Sequence, residues 1–122
     1  MKPTVALAES KSHYDGVFEA LKLIENQIEE GIKGKKKVLI KPNFVSVNRQ
    51  LAATHVDAVR GILDVVSKYH SGRIMIGEGP SFSSLRTGLV NFDYLKLQNH
   101  YNVEFVDLNE DDSIEIEVTG SQ

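Results

Sequence analysis

The 122-residue chain predicts a single α/β domain with a mostly parallel open sheet and helices on both faces. Three short apolar runs carry that expectation: Val38-Leu39-Ile40, Ile74-Met75-Ile76 and Val103-Glu104-Phe105-Val106. Each is the length of a buried strand, and each is separated from the next by a stretch with helical spacing. Strands that alternate with helices in this way form βαβ units. Hydrophobic residues make up 41% of the chain and charged residues 25%, so one ordinary globular core is expected.

The elements follow in β-α-β-α-β-α-β-β order. Residues 4–8 (Thr-Val-Ala-Leu-Ala) read as a first strand, closed by a polar loop over residues 9–12. From His13, the residues Val17, Leu21, Ile24 and Ile28 recur at helical spacing, and Gly31 and Gly34 supply stops. The strand at residues 38–40 is halted by Lys41-Pro42-Asn43. A second helix carries Val56, Val59, Ile62, Leu63 and Val66 on one face, with Thr54 as its N-cap, and ends near residues 70–72. The strand at residues 74–76 breaks at Gly77-Glu78-Gly79-Pro80. A polar loop over residues 81–87 then leads into a weaker helical stretch that runs from Leu89 to Tyr101. After the strand at residues 103–106, residues 114–118 (Ile-Glu-Ile-Glu-Val) alternate strictly, as an edge strand with one wet face would.

Composition narrows the function. With no cysteine, the chain can form no disulfide, thiolate metal site or cysteine nucleophile, and it carries no iron–sulfur cluster. A formal net charge of −3 argues against a nucleic-acid partner, and the one basic run, Lys33, Lys35, Lys36 and Lys37, reads as a solvated turn. No apolar run approaches a membrane span, and the first nine residues do not form a signal peptide, so a cytoplasmic location is expected.

In open α/β sheets ligands sit beyond the carboxyl ends of the strands, which directs attention to the loops there. Lys41 and Asn43 offer a cation and an amide suited to a phosphate or carboxylate, although such residues also serve simply as a solvated charge and a turn former. Thr54 and His55 open a helix whose free N–H groups favour an anion; the plainer reading is a cap followed by an exposed histidine. Glu78 lies between two glycines, where a ligand or backbone can approach closely, and Gly79 belongs to the same loop. His55, Glu78 and Asp107 together offer nitrogen and oxygen ligands for a metal, against the plainer reading of acids as turn formers. The G-x-G-x-x-G, phosphate-loop, nucleophile-elbow and H-E-x-x-H patterns are absent.

Taken in order, "VLIKPNFV" at residues 38–45, "ATH" at 53–55, "IGEGP" at 76–80 and "VDLN" at 106–109 resemble the domain-of-unknown-function 362 family. Val56 stands where that family usually has a proline after its "TH". The resemblance implies Lys41, Asn43, Thr54, His55, Glu78 and Asp107 as candidate residues without assigned roles. It also implies that residues 1–122 are the amino-terminal part of a larger module, since the family domain continues into further lysine- and histidine-containing motifs. Some members are joined to ferredoxin-like iron–sulfur segments, so the partners implied are the rest of the module or an iron–sulfur protein. From the residues themselves, the expectation is a small anionic ligand, with metal assistance through His55, Glu78 and Asp107. The alternative is a non-catalytic assembly or protein-interaction domain whose strand edges and apolar helices dock a partner, and weak self-association through the edge strand is expected as well. Whether the chain is an enzyme is left open.

Overall fold

The structure, a computed structural model, describes residues 2–81 and 83–120. Phe82, in the loop expected over residues 81–87, lies outside that set. Helices α1 (His13–Leu23) and α2 (Glu25–Ile32) precede strand β1 (Val38–Ile40). Helix α3 (Val56–Val66), strand β2 (Ile74–Glu78), helix α4 (Leu85–Asn91) and strand β3 (Val103–Asp107) follow, with short 3₁₀ helices at Gln50–Ala52 and Tyr94–Asn99. The three strands form a parallel sheet in the order β1-β2-β3, with Val38 beside Ile74, Ile74 beside Val103, and Glu78 beside Asp107. The chain therefore has the α/β architecture expected from its apolar runs. No helix among the described residues is long and apolar enough to cross a membrane.

Alternation along the strands decides where the core sits. Ile40, Ile74, Ile76 and Val103 are buried against Val56, Val59, Leu63 and Val66 of α3, Leu85 and Leu89 of α4, and the Phe92–Leu97 segment. The opposite face has no such cover among the described residues, where helices on both faces were expected. There Leu39 is half-exposed and Glu104 is exposed, and a Cβ at Gly77 would lie 3.0 Å from Leu39 and 3.1 Å from Leu108, so the two leucines close over the glycine.

Helix α1 packs on α3 instead of on the sheet. Gly61 makes this approach possible, since a Cβ there would lie 3.1 Å from the Tyr14 carbonyl and 3.3 Å from the Phe18 nitrogen. Asp64 on α3 ties the layers together. Its carboxylate accepts hydrogen bonds from Tyr14 Oη on α1 and, at 2.7 Å, from Tyr101 Oη just before β3.

Several local expectations are corrected. Residues 4–8 and 114–118 form no strand and leave Val5, Leu7, Ile114, Ile116 and Val118 exposed. A strand pattern gives only the capacity to pair, and neither segment has a partner among the described residues. The single helix expected from His13 is broken at Ile24 (φ −119°, ψ 22°), and the second piece sets Glu25 to accept from Tyr69 Oη at 2.8 Å and Lys68 Nζ at 3.0 Å. Gly31 lies inside α2, and the left-handed turn falls at Gly34 (φ 74°). The stretch expected to be helical over 89–101 starts earlier as α4, then reverses at Asp93, whose φ is 62°, into the Tyr94–Asn99 3₁₀ helix. The N-cap of α3 is His55 and not Thr54, with Nδ1 accepting from the Asp57 N–H at 3.1 Å.

Two outcomes test this packing. Leu63 is fully buried at the α3–sheet contact, and Leu63→Ala should destabilise the fold by about 2–5 kcal/mol in urea unfolding. The Asp64 hydrogen bond, with burial and the Asp64 charge, pushes Tyr14 from 10.0 up to about 12. A raised folded-state value means that this contribution is complete below pH 10 and is lost as pH rises towards about 12. Tyr14→Phe should therefore flatten part of the alkaline fall in stability, measured by denaturation across that range.

Candidate functional site

Glu78 ends β2, where the alternation that buries Ile74 and Ile76 turns its side chain to the covered face. Its side chain is only 7% exposed, so the carboxylate must find donors within the protein. It finds three. Oε2 accepts from the Phe44 N–H at 2.6 Å, and Oε1 accepts from the Gly79 N–H at 2.9 Å and from Lys41 Nζ at 2.9 Å. Burial pushes the carboxyl up, but these bonds and the Lys41 charge outweigh it and hold the group below its ordinary value. A carboxylate so engaged is suited to placing Lys41 and the loop, and poorly suited to taking a proton from a substrate. The Lys41 side chain is more than half exposed.

Asn43 and Thr54 are joined across the loop. The Asn43 N–H donates to Thr54 Oγ1, the Thr54 N–H donates to the Asn43 carbonyl, both at 2.9 Å, and a single antiparallel bridge joins Phe44 and Ala53. Tyr94 Oη donates to the Thr54 carbonyl at 2.7 Å from below. Burial and the Glu78 charge both raise the Tyr94 phenol, which keeps it a neutral donor. Thr54 thus serves the loop and not the helix cap.

His55 stands at the mouth of α3, its ring stacked on His13 at 4.4 Å with 7° between the planes. Beside it lies a cleft of about 320 Å³ lined by Gln50, His55, Asp57, Arg60, Asn91 and Lys96. Two ion pairs edge this cleft, Arg60–Asp57 at 2.8 Å and Lys96–Asp93 at 3.0 Å. Nothing in the pattern of residues 1–12 or 14–54 marks His13 as a neighbour of His55. Sequence reasoning placed it only in a first helical turn, and it also missed Tyr94.

A side chain at Gly79 would displace Asn109, since a Cβ there would lie 2.6 Å from Asn109 Oδ1, and Asn109 Nδ2 donates to the Pro80 carbonyl at 2.9 Å. The Asp107 carboxylate accepts from the Asn109 N–H at 2.9 Å within a turn. Lys41, Asn43, Thr54, His55, Glu78 and Gly79 are therefore linked by direct bonds or chain adjacency at the ends of β1 and β2, while Asp107 closes β3. Among the described residues no three or more His, Asp or Glu side chains form a group that could hold an ion, and both oxygens of Glu78 are occupied by hydrogen-bond donors.

Removing the Glu78 carboxylate should loosen this loop. Glu78→Ala leaves the Phe44 and Gly79 N–H groups without an acceptor, at a cost of about 1–3 kcal/mol in chemical denaturation. Because the folded-state value is depressed, the contribution is present above 4.5 and is lost as pH falls below it. The variant should therefore show a shallower acid decline than the parent chain between pH 5 and about 3.

No curated protein and no solved structure matches the chain. A family model does match, over residues 38–122, and that span takes in every one of the linked residues above. On that match the chain belongs to the DUF362 family, described as a domain of unknown function.

Proposed function

We propose that the chain holds a small anion, such as a phosphate or carboxylate group, at the carboxyl ends of β1 and β2, and that it does so in the cytoplasm as part of a larger module. The observation that carries this reading is the Lys41–Glu78 pair. Glu78 Oε1 holds the Lys41 ammonium at 2.9 Å, while the Lys41 side chain stays more than half exposed. A lysine held in this way loses less freedom on binding than a free one, and a compact cation suits an oxyanion. Exposed Asn43 and partly exposed His55 flank the Asn43–Thr54 bonds in the chain and add polar groups. Any iron–sulfur centre would come from another segment or a partner, since the chain has no cysteine.

A second reading, assembly, has its own support. Val5, Leu7, Leu39, Ile114, Ile116 and Val118 are all exposed, and one face of the sheet is open among the described residues. The two readings occupy different surfaces.

Titrating inorganic phosphate while following the amide resonances of Asn43 and His55 separates small-anion binding from the alternatives. Saturable shifts in the millimolar range are expected, and Lys41→Met should abolish them while leaving the spectrum otherwise folded. Absence of shifts at these residues, or tight binding of a DNA or RNA oligonucleotide instead, would sink the anion reading.

A further inference from the structure

The two charged runs of the chain have opposite sign and lie at opposite ends of the sheet. Lys33, Lys35, Lys36 and Lys37 lead into β1, are exposed, and take part in no ion pair among the described residues. Glu110, Asp111, Asp112, Glu115 and Glu117 follow β3 and are exposed too, interleaved with exposed Ile114, Ile116 and Val118. Strand β1 pairs only with β2 among the described residues, so its outer N–H and C=O groups are free to accept another strand, beside half-exposed Leu39.

We propose that residues 110–118 of one copy of the chain add as a parallel strand to the outer edge of β1 in a second copy. In that direction the acids at 110–112 lie beside Lys35, Lys36 and Lys37. Ile114 then falls beside Leu39, on the face where the sheet lacks cover. The inference rests on the assembly reading above and names its partner, a second copy of this chain.

A chain cannot satisfy this arrangement with its own tail. The Glu110 N–H donates to the Asp107 carbonyl at 3.1 Å, which holds Glu110 at the top of β3. By the sheet register, Lys37 lies five residues below the level of Asp107 and two strands away. That is about 17 Å along the strands and about 10 Å across them. Only two residues, about 7 Å of backbone, separate Glu110 from Asp112. The lysines of a second copy have no such restriction.

Sedimentation equilibrium of the whole chain at low and high salt tests the proposal, with two sets of exposed charge reversals checked for folding by circular dichroism. The parent chain should dimerise reversibly, with a dissociation constant that weakens roughly tenfold or more between low salt and about 0.5 M. The triple variant Lys35→Glu, Lys36→Glu, Lys37→Glu should be monomeric, and so should Asp111→Lys, Asp112→Lys. An equimolar mixture of the two should recover a heterodimer. A dimer that strengthens with salt would mean tail-to-tail pairing and overturns the proposal. So does a dimer indifferent to the lysine reversals, which would leave the assembly reading standing on another surface. A chain that stays monomeric under both conditions overturns the proposal and the assembly reading together.

Discussion

A buried carboxylate on a sheet can be kept ionised only by donors arranged around it, and Glu78 imposes that requirement on its whole neighbourhood. Two of its donors are main-chain groups, at Phe44 and Gly79, and the third is Lys41. Meeting the requirement bends the chain after β1 back across the end of β2. That bend drives the Phe44 ring downward, edge-on to Phe92 at 5.3 Å and to Tyr94 at 5.0 Å. Gly88 is the counterpart of this insertion, since a Cβ there would lie 2.9 Å from the Phe44 ring. Tyr94 then returns a hydrogen bond to Thr54, which completes a circuit from sheet end to loop to core and back to the loop. The polar region at the surface and the aromatic cluster beneath it are one construction.

Layering explains why α3 is the most committed helix. It presents Val59, Leu63 and Val66 to the sheet and Gly61 to α1, while Asp64 gathers hydroxyl groups from both sides. Helices α1 and α2 pack on α3 and contribute no fully buried residue of their own. They act as an outer layer whose polar contribution to the candidate site is His13, carried against His55 by the α1–α3 contact.

The parts of the fold legible in the sequence are those in which local pattern and tertiary demand coincide. The three apolar runs became β1, β2 and β3, and the 3.6-residue stripe through Val56, Val59, Leu63 and Val66 became the buried face of α3. What was illegible depended on partners distant in the chain. Residues 114–118 alternate as a strand does, but pairing is a relation between two segments, and a one-chain pattern supplies only one of them. Thr54 and His55 can each cap a helix. The Asn43 N–H, eleven positions away, engages the threonine and leaves the cap to the histidine. Glu78 read as an acid between glycines that a ligand or a backbone could approach, and the Phe44 and Gly79 N–H groups that occupy its oxygens have no side-chain signature.

The tether between Glu78 and residue 44 runs to the peptide nitrogen, and the ring has a separate task in the core. Shape and filling are thus specified by different atoms of one residue. Exchange of the aromatic ring for another bulky apolar group leaves the loop's course encoded, because every ordinary amino acid brings the same N–H. Proline alone lacks it. The sequence Lys41-Pro42-Asn43-Phe44 therefore tolerates its imino acid two places earlier, where the ring stiffens the exit from β1, and forbids it at the position where the backbone itself is recognised.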